Sequence, residues 1–148
     1  MSIEWGTTTF SSTMSVKVID NTNAPSNVLQ AGLKFDVEIG WKVPPALVSL
    51  IGNDDTFRLR AYAESVGPGQ EIQIGGTDIV QGVFNKTDYT HKLTVNPNPL
   101  LGEGAGFGGV PVSGIYNIVC VLQHLNNGVP TGHSGCADYE TPVMFKTP

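Results

Sequence analysis

Charge is the first thing this chain has little of. Only 8 residues are Lys or Arg and 13 are Asp or Glu, 14% of 148, where ~25% is usual. The net charge of −5 leaves no surplus of cations to displace counterions from phosphates, which excludes an electrostatic nucleic-acid binder. There is no unbroken apolar run of about 18 residues, so no helix of this sequence spans a bilayer. A secretory signal needs a basic start and a continuous apolar stretch. Here Glu4 is acidic and residues 6–9 read GTTT. A cytoplasmic chain is the favoured reading; a processed one, or one exported by another route, fits the same absence. Two cysteines and three histidines are too few, and too irregularly spaced, for a zinc cluster. Disorder is excluded too, because 40% of the residues are hydrophobic and the net charge is small. No segment of helical length shows a 3.6-residue apolar period; residues 47–51 have room for one turn at most.

What remains is a single domain's worth of chain with period-two patterning. Leu33, Phe35, Val37, Ile39, Trp41 and Val43 alternate with polar residues or glycine over 33–43. Successive side chains of a strand point to opposite faces, so this pattern predicts a strand with one buried and one wet face. Pro44 and Pro45 end it, since neither can donate to a ladder. Further alternation predicts strands at 14–18, 57–63, 71–74, 79–84 and 89–95, and a last one around Tyr139, Val143 and Phe145. Residues 115–125 are almost continuously apolar, the pattern of a central strand covered on both faces. Asn126, Asn127 and Gly128 tolerate positive φ and predict a hairpin turn. Gly67-Pro68-Gly69 predicts another tight turn, and the Asn-Pro repeat at 96–99 ends a strand. Strands at this spacing, separated by turn signals, predict an all-β fold: an antiparallel two-sheet β-sandwich of about 7–9 strands.

Two segments carry a family resemblance. FDVEIGWKVPP (35–45) ends a strand on Trp41, and VSGIYNIV (112–119) places Tyr116 near the start of a central strand. Together they resemble the immunoglobulin-like and fibronectin type III-like sandwiches over roughly residues 14–146. The resemblance implies a scaffold with Trp41 in the core and Tyr116 as a tyrosine corner; it implies no particular activity.

Chemistry-bearing motifs are sparse. The glycine-rich segment 102–109 lacks the following Lys-Ser/Thr and helix of a phosphate loop and is read as a connection between sheets, with Phe107 capping the sandwich or touching a partner. Around Ser134 the sequence is GHSGC, which has Cys136 where a nucleophile elbow has glycine, so no catalytic residue is assigned. A hairpin about Gly128 sets Cys120 opposite Cys136. A cross-strand disulfide and two reduced thiols both fit, and reduced thiols are favoured. The sequon at Asn85 is read as chance. His91 falls on the inward side of its strand as a core or rim histidine, and His124 is read as a strand-boundary residue.

In an immunoglobulin-like order the loops after Val43, Phe84 and Leu125 gather at one end, with Asn53, Asp54, Asp55, Asp88 and His133. Asn53, Asp54 and Asp55 are the candidate metal ligands, for Ca2+, which takes several oxygen ligands; no other cofactor is expected. The opposite end holds Asp20, Asn21, Asn23 and Glu103. Finally, 37 residues are Ser, Thr, Asn or Gln. Such a neutral polar surface loses little solvation on meeting another protein, and the uncharged segment 7–13 has the composition of an edge that pairs with a neighbour. The sequence therefore points to a non-enzymatic protein acting through protein association, a self-assembling subunit of a homo-oligomer. The alternative is a carbohydrate- or calcium-recognition module, with Tyr62 and Phe107 as its aromatics.

Overall fold

The computed structural model describes residues 13–96, 100 and 102–146. The chain is β-rich. Strands β1 (Ser15–Ile19), β2 (Val28–Gln30) and β3 (Phe35–Lys42) precede one helical turn, α1 (Pro45–Val48). Then follow β4 (Asp55–Ser65), β5 (Glu71–Gln81), β6 (Asp88–Val95), β7 (Gly106–Phe107) and β8 (Val110–Pro111). Strands β9 (Ile115–Asn126), β10 (Val129–Asp138) and β11 (Val143–Lys146) complete the order. A smaller sheet runs β1-β3-β6; a larger one runs β2-β11-β9-β4-β5, with β10 also on β9; β7 and β8 form a separate pair. Eleven strands are thus present among the described residues, above the expected number. The excess consists of the three-residue β2 and the two-residue β7 and β8, which are too short to carry a pattern.

The two larger sheets bury their inward residues in one core. From the smaller come Val18, Val37, Ile39, Trp41 and Leu93; from the larger, Phe57, Leu59, Ile118, Leu122 and Phe145. Trp41 is stacked on Tyr89, with ring centroids 5.3 Å apart, and tilted against Phe57 at 5.5 Å. Burial of a residue of that size contributes most where aromatic rings interlock, and Trp41 fills the core as expected. Tyr116 is buried edge-to-face against Phe145. Beside Trp41, the Tyr89 hydroxyl clamps a neighbouring turn: it accepts from Val83 N–H at 2.9 Å and donates to Val83 C=O at 3.2 Å.

Several expectations are corrected. The 33–43 strand begins at Phe35, and Leu33 is exposed in the preceding turn. The expected strands at 71–74 and 79–84 merge into one, β5, which ends at Gln81 and leaves 82–84 outside it, with a register shift opposite residues 59–61. Gly75 there has φ +65°, and a Cβ at that site falls 2.3 Å from Leu93 of β6; only glycine permits that approach. Strand β9 is central, flanked by β4 on one side and by β10 and β11 on the other. Its outward residues are only half-buried, so one face rather than both is sealed. The glycine-rich segment forms the β7–β8 hairpin, with Phe107 exposed rather than capping the core. The turn at Asn127 and Gly128 has φ of 51° and 76°, as expected of a two-residue hairpin. A register shift between Pro130 and Ser134 then sets Cys136 against Val121 and Cys120 against Ala137. Alternation turns the two sulfurs to opposite faces, and both cysteines are thiols. Residues 7–12 and 97–99 lie outside the described part.

Candidate functional site

The loops after β3, β5 and β9 do meet at one end of the body. Val43 N–H donates to Thr87 C=O at 2.8 Å, Asn85 N–H to Val48 C=O at 3.3 Å, and Asn127 N–H to Asp54 C=O at 2.8 Å. Gln81 Nε2 adds bonds to the carbonyls of Asn53, Asp55 and Gly82 at 3.0–3.1 Å. These bonds satisfy backbone groups that no ladder reaches.

At the centre is a carboxylate–imidazole–hydroxyl chain. Asp55, the first residue of β4, is buried, as is His124 on β9. Asp55 Oδ1 accepts from His124 Nε2 at 2.8 Å and from Asn126 Nδ2 at 3.1 Å, and Oδ2 accepts from Gly52 N–H at 2.8 Å. Thr131 Oγ1 lies 2.8 Å from His124 Nδ1 and 3.2 Å from His124 C=O, and accepts from His133 N–H at 3.4 Å. The rings of His124 and His133 are 5.7 Å apart.

Proton accounting fixes the resting state. Burial pushes His124 down and outweighs the hydrogen bond and charge of Asp55, leaving its pKa below 6.5 and the ring neutral near pH 7. Asp55 feels the burial penalty most. The donors Asn126, Gly52 and His124 together overcome it and hold the carboxyl below 3.8. An ionised Asp55 therefore accepts a hydrogen bond from His124 Nε2–H, and His124 Nδ1 accepts one from the Thr131 hydroxyl. When His124 is protonated, Nδ1–H donates to Thr131, whose own proton turns to His124 C=O.

Acid, imidazole and hydroxyl in this order resemble the connectivity of a nucleophilic triad. Here, however, the hydroxyl is engaged within its own hairpin, and both acid and base are sealed from solvent. The arrangement joins β4, β9, β10 and the 52–55 loop and acts as an internal lock.

Of the candidate metal ligands, Asn53 and Asp54 are exposed while Asp55 is turned inward onto protein donors. Among the described residues no three His, Cys, Asp or Glu side chains gather as a metal-ligand group. Asp88 ion-pairs with Lys42 at 3.8 Å on the surface. At the opposite end Asp20 caps its own turn: the Thr22 hydroxyl and the Ala24 and Thr22 amides donate to it and hold its pKa low, the Thr22 hydroxyl most. His91 is a rim histidine, 2.7 Å from Asp78 across the β5–β6 gap. His124 is the residue that sequence reasoning missed. Continuing the inward series Tyr116, Ile118, Cys120, Leu122 by two places it inside, not at a boundary.

No protein-family model and no curated protein matches the chain. Among solved structures it is similar to a superoxide reductase (neelaredoxin) from Ignicoccus hospitalis, at 11% identity and TM-score 0.46, covering 90% of this chain and 80% of that one. It is also similar to Spo0M, a sporulation control protein from Bacillus subtilis, at 10% identity and TM-score 0.39, over 90% of this chain. The chain spans about half of Spo0M's length, 49%. No activity is transferred from either.

Proposed function

We propose that this chain is a non-enzymatic, immunoglobulin-like two-layer sandwich that works by protein association, first of all with copies of itself. The strand pairing supports the fold reading. Taking β1, β3, β4, β5, β6, β9 and β10 as A, B, C, C′, E, F and G, the pairs A-B-E and C′-C-F-G match the immunoglobulin order.

One observation carries the functional reading: large apolar side chains stand exposed on firmly hydrogen-bonded loops at one end. Leu50 is 71% exposed and Phe84 63%, with Val83 and Val129 also exposed. Scattered single apolar residues need no explanation, but a group on a pinned frame marks a contact surface. Hydrophobic loss to solvent is reduced only if another molecule covers it.

The test is hydrodynamic. Wild-type chain and a Leu50→Asp/Phe84→Asp variant are compared by light scattering after size exclusion over a range of concentrations. Larger species that form with concentration in the wild type and are weakened in the variant support the reading. A wild type that stays monomeric at high micromolar concentration overturns self-association.

A further inference from the structure

The outward face of the larger sheet carries its charge in two blocks. Strand β4 turns Arg58, Arg60, Tyr62 and Glu64 outward in succession, by the alternation of its burial pattern. Arg58 and Arg60 are the chain's only arginines. Glu64 pairs in register with Glu71 of β5, so two carboxylates stand side by side where like charges repel. Among the described residues none of these four forms an ion pair. Arg58 bonds Gln123 through Nη2, while its buried Nε has no partner; Arg60 Nε donates to Thr77 Oγ1 at 3.3 Å. Tyr62, half-buried, lies midway between the blocks.

We infer that this face pairs with the same face of a second copy about a twofold axis crossing the strands over Tyr62, setting Arg58 and Arg60 of each copy against Glu64 and Glu71 of the other. The inference deepens the self-association reading and rests on it. The argument is geometric. Residues 60 and 64 are each two places from 62, about 6.6 Å along the strand. A twofold that reverses the strand direction at Tyr62 maps the Arg60 position onto the Glu64 position and the reverse. An isologous interface needs that kind of self-complementary patch. Two aromatic rings then meet on the axis, where binding energy concentrates, and Arg forks meet carboxylates. Asp138, which lies in the Tyr62 row on β10 beyond Val119, meets its own copy only at the exposed rim, where solvent screens the repulsion.

The test is a charge-swap cycle on the full chain by sedimentation velocity at low salt. R58E/R60E makes the face wholly acidic and E64K/E71K makes it wholly basic. Each variant alone is expected to weaken dimerisation by about 100-fold or more, whereas an equimolar mixture regains the wild-type species, because every facing pair is then opposite in sign. Recovery also shows that both variants are folded. Raising the salt weakens the wild-type dimer. If both variants associate as the wild type does, or the mixture stays monomeric, this interface is wrong while self-association through another surface stands. A wild type monomeric at high micromolar concentration removes both.

Discussion

Replacing Asp55 by alanine is the most informative single perturbation of the lock. The side chain is 8% exposed and receives three hydrogen bonds, from His124 Nε2, Asn126 Nδ2 and Gly52 N–H. Truncation leaves these donors facing a void. Each buried unsatisfied donor costs about 1–3 kcal/mol; relaxation and entering water recover part of that for the Gly52 amide at the surface. With His124 neutral at pH 7 no charge is stranded, so the three donors set the loss, and we expect about 2–5 kcal/mol for Asp55→Ala. For a domain of this size that corresponds to a fall in Tm of roughly 10 °C.

Asp55→Asn separates the contributions. An amide oxygen placed toward His124 and Asn126 preserves two bonds, but its NH2 then opposes the Gly52 N–H, so the loss is about 1–3 kcal/mol. The assay is urea denaturation followed by Trp fluorescence at pH 7, with the midpoint read at constant slope. A loss below about 1 kcal/mol for Asp55→Ala would refute the claim that this carboxylate holds the loop end together.

Other expectations follow from the same contacts. His124 has a folded pKa below its unfolded value, so the unfolded chain binds the proton first as the pH drops. Its contribution to stability is complete above about pH 6.5 and is lost as the pH falls through the folded value. Asp55 contributes a second loss below about pH 4, absent in Asp55→Ala, as denaturation midpoints against pH will report. Burial, aided by nearby Cys136, pushes the Cys120 thiol up to about 12, so Cys120 resists a thiol reagent at pH 8 until the chain unfolds; rapid labelling of Cys120 in the native protein contradicts its placement. Trp41→Ala costs about 3–5 kcal/mol, measured by urea denaturation followed by circular dichroism because the substitution removes the buried fluorophore. Both Asp55 oxygens are engaged by protein donors, so millimolar Ca2+ leaves Tm unchanged; a rise in Tm would instead reveal a bound ion at that end.

How legible this was depends on how local the determinant is. The strand at 35–42 is written in its own side chains, because a buried face at period two survives any choice of partner strand. The Asn127-Gly128 hairpin is equally local. Strand β5 is not: Gly75 and Gly76 interrupt the alternation, and the strand crosses them through a register shift, with Gly75 at positive φ close against Leu93. The cysteine register failed for a similar reason. A symmetric fold about Gly128 misplaces the turn: Val129 pairs with Asn126, so the hairpin is centred between Asn127 and Gly128, and that offset already puts Cys120 and Cys136 on opposite faces; the bulge between Pro130 and Ser134 slides the register further without changing the face. At the loop end the sequence identified which loops converge, but counting carboxylates could not say which one turns inward. Asp55 does so because β4 begins there and alternation assigns it to the core side, opposite an inward His124. The two-block charge pattern around Tyr62 was invisible until the register of β5 against β4 placed Glu71 beside Glu64.

The claim on which the account depends is that this domain acts by meeting copies of itself. Sedimentation equilibrium of the full chain, from low to high micromolar concentration in low salt, tests it most directly. The account predicts a weight-average mass that climbs above the 15.7 kDa of one chain as concentration increases; a mass that stays at one chain throughout would contradict it.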